Sequence, residues 1–339
     1  MLQAVMTKPG EIEFCTVAVP KIGIGEVLLH VKKIGVCGSD IHVYHGHHPF
    51  TTYPIVQGHE FSAVVEAVGE NVTRLKRGMN VTARPQIVCG RCRQCRRGDY
   101  NICDVLKVQG FQAPGVAQEY FVTTEDKIVI LSDTMTFEDG ALVEPCAVAV
   151  HAVGKIPDLK GKNIVVLGAG TIGNLIAQVA RASEAEKILI ADLSDFRLDI
   201  ACQCGITHTC NMGRESLEDA SERIFGKDGF DVAFEAVGAE RTMEAAINTI
   251  QKGGQIVVVG VFKQKPPMDM AVVGDRELSL IGTLMYKHAD YEKAAELISS
   301  KLVLTTPIVS KHFAFKQYAD AYKFIDEQCD KTMKVIIDL

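Results

Sequence analysis

The chain of 339 residues lacks several features that define large classes of proteins. It contains no apolar run of the ~18–20 residues that a membrane-spanning helix needs, so we expect no membrane association. It lacks the basic excess of general nucleic-acid-binding proteins, because its formal net charge is −6. Its first residues, MLQAVMTKPGEIEF, show no continuous apolar segment after a basic start, unlike a secretory signal peptide. These absences predict a cytoplasmic protein that binds neither membranes nor nucleic acids.

Internal repeats, low-complexity tracts and long proline- or serine-rich linkers are also absent. Apolar residues make up 47% of the chain and charged residues 23%, which is typical of a soluble globular protein. A chain of this length suggests about two domains. Eleven cysteines without a secretory signal favour metal ligands and free thiols over disulfides.

A glycine-rich segment follows a short apolar run near the middle of the chain. Residues 164–167 are apolar and β-branched, which predicts a buried strand that leads into Gly168-Ala169-Gly170-Thr171-Ile172-Gly173. In such a G-x-G-x-x-G, Gly168 permits a tight turn, Gly170 leaves room for a pyrophosphate and Gly173 lets helix and strand pack closely. The helix that starts at Thr171 and Ile172 offers its free N–H groups to phosphates. The segment predicts a dinucleotide site; the alternative is a glycine turn in some other α/β domain.

Strands and helices alternate through the region that contains this segment. Candidate strands lie at 164–167, 187–191, 231–234 and 255–260, and candidate helices at 171–182, 195–203, 215–225 and 240–251. This alternation predicts a doubly wound parallel sheet, a Rossmann fold, over about 148–285. The second strand ends in Asp192, 24 residues beyond Gly168. That spacing is close to the ~20 residues expected for a carboxylate that binds the adenosine ribose.

The remaining residues read as mostly β. Strand-like runs at 27–31, 61–68 and 80–83 lie between turns rich in glycine, proline and charge. The last segment, 286–339, has two helix-like stretches, 291–300 and 315–327, and a closing strand at 334–337. The fold class is therefore α/β, with a β domain beside the Rossmann domain.

Four cysteines within fifteen residues give the strongest single signal: Cys89, Cys92, Cys95 and Cys103. They match a closed, tetrahedral structural zinc site. An iron–sulfur cluster is the competing interpretation, but its motif continues with a three-residue gap and Cys-Pro, whereas this gap has seven residues. Arginines between the cysteines suggest a nucleic-acid zinc ribbon. Without interleaved aromatic residues, we favour solvated arginines that offset the thiolate charge.

A second group of chemically reactive residues is spread over the first domain. Cys37 and His59, with Glu60 or Glu144 as the acid, are able to supply the three protein ligands of a catalytic zinc site with one open position. Taken alone, a single cysteine and a single histidine are more often a packed thiol and a satisfied core imidazole.

In combination these motifs resemble a known family. Cys37-Gly38-Ser39-Asp40, Gly58-His59-Glu60, the four cysteines, Glu144-Pro145 and the glycine turn follow the order seen in zinc-dependent medium-chain dehydrogenases. The resemblance is to the sorbitol, galactitol-phosphate and threonine dehydrogenase branch. It implies a GroES-like catalytic domain at 1–147 and 286–339, with a structural zinc lobe at about 85–105, and a Rossmann domain at 148–285. It also implies a homodimer or homotetramer.

The resemblance implies oxidation of a secondary alcohol to a ketone, with one catalytic zinc, one structural zinc and hydride transfer to NAD⁺. Ser39 would accept the substrate proton and His42 would pass it outward. For His42 the alternative is membership of an exposed His-rich loop, and we expect the other members, His45, His47 and His48, to face solvent. Both Glu60 and Glu144 are candidates for the third zinc ligand.

The nucleotide residues favour NAD over NADP. Asp192 would accept hydrogen bonds from both ribose hydroxyls and repel a 2′-phosphate, whereas Arg197 is of the type that accommodates this phosphate. Sorbitol-type relatives carry such an arginine beside the acid, near the adenine ribose. Lys334 matches a basic residue that reaches the cofactor phosphates in relatives; a solvated lysine is the alternative.

The substrate is the least defined feature. Val43 stands where sorbitol enzymes have an aromatic contact, and the segment 45–53, HGHHPFTTY, resembles bacterial relatives that act on hexonates such as L-galactonate or L-gulonate. We expect a polyol or a sugar acid. The alternatives are L-threonine, a sugar-alcohol phosphate, which needs a further cationic anchor, and a zinc-stabilised NAD(H)-binding regulator without catalysis.

Overall fold

The computed structural model describes residues 1–339 and shows an α/β protein. The strands are β1 (Leu2–Lys8), β2 (Glu11–Thr16), β3 (Glu26–Val36), β4 (Glu60–Val68), β5 (Asn80–Ala83), β6 (Gln86–Ile87), β7 (Lys107–Val108), β8 (Tyr120–Thr124), β9 (Ile128–Ile130), β10 (Asn163–Leu167), β11 (Lys187–Asp192), β12 (His208–Asn211), β13 (Val232–Glu235), β14 (Gln255–Val258), β15 (Ser279–Gly282), β16 (Val309–Ala314) and β17 (Lys334–Asp338).

The α-helices are α1 (Gly38–Tyr44), α2 (Arg93–Arg96), α3 (Phe137–Ala141), α4 (Val143–Val153), α5 (Thr171–Ala182), α6 (Asp195–Gln203), α7 (Leu217–Phe225), α8 (Glu240–Thr249), α9 (Met270–Asp275), α10 (His288–Ser299) and α11 (Tyr318–Gln328). No helix combines the length and the apolar character that crossing a bilayer requires.

The chain divides into two compact units. The first comprises Met1–Glu144, Lys287–Ser299 and Val309–Leu339, and the second comprises Pro145–Tyr286 and Ser300–Ile308. The sequence prediction placed 300–308 in the first unit. The structure assigns it to the second, because the Gln178 side chain exchanges two hydrogen bonds with the Leu304 backbone, one donated at 3.1 Å and one accepted at 2.7 Å.

The first unit is built on a seven-stranded sheet of order β16-β17-β3-β4-β5-β9, with β8 paired to β3. The long strand β3 pairs antiparallel with both β4 and β17, in a register that sets Gly35 opposite Glu60 and Val36 opposite Val335. This pairing brings Glu60 and the start of β17 to the carboxyl end of β3, where Cys37 is the N-cap residue of α1.

The second unit contains a six-stranded, all-parallel sheet of order β12-β11-β10-β13-β14-β15. The central strand β10 is fully buried from Ile164 to Leu167, as expected of a parallel strand covered by helices on both faces. The predicted strands at 164–167 and 187–191 and the helix at 171–182 are confirmed. The prediction missed the two edge strands, β12 and β15.

Candidate functional site

Three potential metal ligands meet at the carboxyl end of β3. Cys37 precedes α1, His59 lies just before β4 and Glu60 is the first residue of β4. One donor atom from each of the three lies within 4.8 Å of the others. His59 and Glu60 are buried, whereas Cys37 is half-buried. Three protein donors with room for a fourth ligand is the arrangement of catalytic zinc sites.

Asp40 orients this group and was not singled out from the sequence as a functional residue. One carboxylate oxygen accepts a hydrogen bond from the Cys37 N–H at 3.0 Å, and the other lies 3.6 Å from Nδ1 of His59. A carboxylate behind a ligating histidine fixes the ring and raises its basicity. The position of Asp40, three residues after Cys37 in the first turn of α1, is the sequence signal that reveals this role.

The electrostatics of the group fit a bound cation. Burial alone would lower the pKa of His59, but the charge of Asp40 and the contact with Cys37 outweigh it and hold the pKa well above its ordinary value. In addition, Nδ1 of His59 and Oδ1 of Asp40 are buried without a hydrogen-bond partner. A site that draws positive charge to an imidazole between a thiolate and carboxylates fits a zinc ion.

Glu60 forms a buried ion pair with Lys334. The Lys334 Nζ donates to the two oxygens of Glu60 at 2.7 and 2.6 Å and to the Val36 carbonyl at 3.0 Å. Gly35 makes room for this carboxylate, because a Cβ there would lie 2.3 Å from Oε2 of Glu60. The prediction that Lys334 reaches the cofactor phosphates does not match this geometry, since all three ammonium protons are engaged. Its alternative, a solvated lysine, is also wrong, because Lys334 is 3% exposed.

Glu144, the other candidate acid, is buried in the first turn of α4. It is not among the three residues whose donor atoms lie within 4.8 Å of one another. Its charge contributes to raising the pKa of both Lys334 and Tyr291. Glu144 therefore belongs to the electrostatic surroundings of the group, while Glu60 offers the nearer oxygen.

Ser39 and His42 lie on α1, immediately after Cys37. Both are half-buried, and their spacing of three residues places them on one face of the helix. The three histidines of the loop that follows α1 differ in their exposure, although all three were expected to face solvent. His45 and His47 are exposed, as predicted, but His48 is half-buried because its ring stacks on Phe111 at a centroid distance of 4.7 Å.

The four cysteines of the predicted structural site converge, each as a free thiol. Their sulfur atoms lie within 4.8 Å of one another, with Cys89–Cys103 at 3.6 Å, Cys89–Cys95 at 3.9 Å and Cys92–Cys103 at 4.0 Å. Tetrahedral Zn–S bonds of about 2.3 Å place sulfur atoms about 3.8 Å apart. Backbone N–H groups of Asp104 and Cys95 lower the pKa of Cys92 to about 6. The distances between the sulfur atoms fit a zinc ion held by the four cysteines.

The arginines of this lobe are all exposed. Arg96 donates to the Arg91 carbonyl at 3.0 Å, and Arg97 lies 3.7 Å from Asp99. Their exposure agrees with the prediction of solvated arginines.

The glycine turn joins β10 to α5 in the second unit. Gly168 has φ +99°, and a Cβ on Gly173 would lie 1.8 Å from the Gly168 carbonyl oxygen. Gly170 differs, since a Cβ there would meet no atom within 4 Å. As the N-cap of α5, Gly170 provides no side chain to cap the N–H groups of the first turn of the helix. This geometry fits a phosphate group.

Asp192 ends β11 beside the glycine turn. Its carboxylate accepts hydrogen bonds from the Ala169 N–H at 2.7 Å and the Ser194 N–H at 2.9 Å. Arg197 follows in the first turn of α6, half-buried, and its Nε is buried without a partner. The acid predicted at the adenosine ribose thus contacts the glycine turn directly, whereas the predicted arginine lies in the first turn of α6.

Comparison with known proteins gives two matching family models. The description "Alcohol dehydrogenase GroES-like domain" matches residues 23–133, and "Zinc-binding dehydrogenase" matches residues 171–300. D-xylulose reductase from Saccharomyces cerevisiae is 34% identical, over 98% of this chain and 96% of that protein. Sorbitol dehydrogenase from Bacillus subtilis is 31% identical, over 99% and 97%. The crystal structure of galactitol-1-phosphate dehydrogenase from Escherichia coli superposes with a TM-score of 0.93 at 28% identity, covering 100% of both chains.

Proposed function

The chain belongs to the zinc-binding alcohol dehydrogenase family with a GroES-like domain, and we propose that it oxidises a secondary hydroxyl of a polyol or sugar acid to a ketone with NAD⁺ as hydride acceptor. The group of Cys37, His59 and Glu60, with three donors in reach of one ion, carries this proposal. A non-catalytic regulator has no need of a three-ligand site beside a structural four-cysteine site.

Two zinc ions per chain follow from the two groups of donors. Cys37, His59 and a carboxylate, Glu60 or Glu144, would hold the catalytic ion; Cys89, Cys92, Cys95 and Cys103 would hold the structural one. The catalytic ion, when bound, supplies a Lewis acid that makes a substrate hydroxyl easier to deprotonate.

Residues of the chain accept and transfer the proton that leaves this hydroxyl. Ser39 accepts the proton at its Oγ, and His42, one turn further on the same face of α1, passes it outward. Asp40 keeps the His59 ring in its ligating orientation through the contact at 3.6 Å. The Lys334 ammonium offsets the charge that Glu60 adds to a group already containing a thiolate.

The nucleotide site lies in the second unit. The open space at Gly170 and the first-turn N–H groups of α5, at Thr171, Ile172 and Gly173, receive the pyrophosphate. Asp192 accepts hydrogen bonds from the ribose hydroxyls, and its charge disfavours a 2′-phosphate, which supports NAD over NADP. Arg197, in the first turn of α6, is the basic residue that we place near the adenine ribose.

The substrate class is supported by the relatives. D-xylulose reductase and sorbitol dehydrogenase, by their names, act on polyols and the corresponding ketoses. The alternatives are L-threonine and a sugar-alcohol phosphate, the second of these favoured by the galactitol-1-phosphate dehydrogenase structure.

A substrate panel with zinc-loaded protein tests the proposal. NAD⁺ reduction is followed by absorbance with xylitol, sorbitol, L-gulonate, L-galactonate, L-threonine and galactitol 1-phosphate, and the zinc content is measured in parallel. We expect two zinc ions per chain and the highest kcat/KM for a polyol or a hexonate. Cys37→Ser is the matched control, which should keep one zinc and lose activity. A wild-type protein with one zinc and no activity towards any of these compounds would favour the regulator.

A further inference from the structure

We propose that His48 determines specificity by binding a second hydroxyl group of the substrate through its Nε2 atom. This inference rests on the proposed function, because the hydroxyl belongs to the alcohol oxidised at the Cys37–His59–Glu60 group. It names the substrate class more narrowly: an alcohol that carries at least one further hydroxyl within a few carbon atoms of the reacting one.

A stack of rings links His48 to the proposed metal group. The His48 ring stacks on Phe111 with centroids 4.7 Å apart and planes within 13°. Phe111 in turn contacts the His59 ring at 4.8 Å. One buried phenyl ring therefore separates the His48 imidazole from the imidazole of a proposed metal ligand. The two contacts keep the His48 and His59 ring centroids within about 9.5 Å of each other, which is comparable to the length of a polyol of five or six carbon atoms.

The orientation of the ring is also fixed. Nδ1 of His48 shares a hydrogen bond of 2.8 Å with the Thr51 hydroxyl, so the edge that carries Nδ1 is held by the protein. The protein provides no hydrogen-bond partner for Nε2, at the far edge of the same half-buried ring. A stacked, anchored imidazole with one free nitrogen is a pre-oriented group of the kind that confers specificity.

The neighbouring histidines do not share this arrangement. Nε2 of His45 is bonded to Asp326 at 3.0 Å, and His47 is exposed. Among the three histidines that follow α1, His48 is thus the one that combines burial, an anchored ring and a free nitrogen.

The chemistry of the free nitrogen favours a hydroxyl as its partner. Burial lowers the pKa of His48, so the ring is neutral near pH 7 and Nε2 is a donor or an acceptor depending on its tautomer. A hydroxyl both donates and accepts, and so it matches either tautomer. A carboxylate accepts only and matches one of them.

The test compares three variants with wild type on two alcohols. His48→Phe keeps the stacking on Phe111 and removes Nε2, His48→Asn restores a polar donor and acceptor, and His47→Phe controls for a phenyl group in the same loop. Xylitol carries additional hydroxyls, whereas 2-butanol carries only one. Isothermal titration with xylitol provides a second readout that needs no turnover.

We expect His48→Phe to weaken xylitol binding and to lower kcat/KM for xylitol about five- to tenfold, the effect of one lost hydrogen bond. Values for 2-butanol and the zinc content should stay unchanged, His48→Asn should lie closer to wild type, and His47→Phe should match wild type. Equal xylitol affinity of wild type and His48→Phe, or an equal loss for both alcohols, overturns the role of His48. If the wild type binds xylitol in a His48-dependent manner but reduces no NAD⁺ with any alcohol, the proposed function fails and the binding role stands.

Discussion

The Lys334 ammonium and the Glu60 carboxylate form an ion pair at 2.6 Å in which the two side chains are 3% and 1% exposed. Burial alone would lower the pKa of Lys334, but the charges of Glu60 and Cys37 outweigh the effect of burial and raise this pKa. The pair lies where β17 pairs with β3, so it connects the last strand of the chain to the proposed metal group. Glu60 is thereby held by a buried lysine, and its carboxylate is also one of the three donors of the proposed metal group.

Removal of the lysine should destabilise the metal-free protein. Lys334→Met leaves Glu60 as an uncompensated buried charge, which costs about 3–5 kcal/mol of unfolding free energy. The double variant Glu60→Gln/Lys334→Met should recover most of the loss. Urea unfolding of chelator-treated protein measures both.

The surface pair Lys160–Glu184 supplies the control for this experiment. Its side chains are 74% and 67% exposed, so solvent screens the pair and Lys160→Met should leave the urea midpoint nearly unchanged. Equal losses for Lys334→Met and Lys160→Met would show that the buried pair has no special weight.

Much of the second unit was predictable because its signals are local. The run at 164–167, the glycines and the helix that follows are contiguous, and they form β10, the turn and α5. The edge strands β12 and β15 were missed because they are four residues long and lack a continuous apolar run, with sequences HTCN and SLIG. Sheet pairing rather than local pattern makes them strands.

The site in the first unit was predictable in its parts and less so in its assembly. The motifs around Cys37 and His59 are legible because each is a few residues long. Their meeting depends on the register of β3 with β4, and the arrival of Lys334 depends on pairing across nearly 300 residues of chain. Residues that meet only through such long-range pairing cannot be recognised from a local sequence pattern. This is why the sequence prediction placed Lys334 at the cofactor phosphates instead of beside Glu60. The contacts of His48 with Phe111 escaped prediction for the same reason.

Stability should depend on pH through His288, at the start of α10. Burial lowers the pKa of His288, with Glu292 opposing and Arg84 reinforcing this shift. The folded state thus favours the neutral ring, and its contribution is present above the unfolded pKa of about 6.5 and is lost as pH falls through the lower folded value. Between pH 7 and pH 5, wild type should lose more stability than His288→Gln. Urea midpoints over this range test the difference, with the exposed His47→Gln as control; parallel curves for wild type and His288→Gln would contradict it.

Coenzyme preference should respond to Asp192. Asp192→Asn retains one oxygen, which accepts one of the two backbone hydrogen bonds, but removes the charge that repels a 2′-phosphate. We expect the ratio of kcat/KM for NADP⁺ to that for NAD⁺ to rise about tenfold or more, equivalent to about 1.4 kcal/mol. Arg197→Ala in the same background should reverse part of the gain if the arginine then contacts the phosphate. A wild type that already prefers NADP⁺ would refute the role given to the carboxylate.

Ser39 and His42 should contribute to the same proton-transfer path, so the loss of either residue should impair it. Ser39→Ala and His42→Gln should each lower kcat about a hundredfold, the typical contribution of a positioned proton-transfer group, and leave the zinc content unchanged. Since both residues serve one path, the double variant should be little worse than the more severe single variant. Losses that multiply in the double variant would show independent roles, and an unchanged kcat for His42→Gln would exclude this residue from the proton path.

Alanine substitutions at two glycines of the same turn should affect different properties, folding stability in one case and coenzyme binding in the other. A methyl group at Gly173 would lie 1.8 Å from the Gly168 carbonyl oxygen, so Gly173→Ala must push α5 away from β10 and destabilise the unit. A methyl group at Gly170 meets no protein atom within 4 Å, and its backbone angles, φ −64° and ψ −177°, suit alanine. Gly170→Ala should therefore keep the thermal midpoint while it occupies the space that the pyrophosphate needs, raising the KM for NAD⁺ about tenfold or more. Circular dichroism melting and coenzyme titration distinguish the two effects. If Gly170→Ala binds NAD⁺ as wild type does, the pyrophosphate does not lie against this backbone, and the assignment of the turn to the coenzyme has to be abandoned.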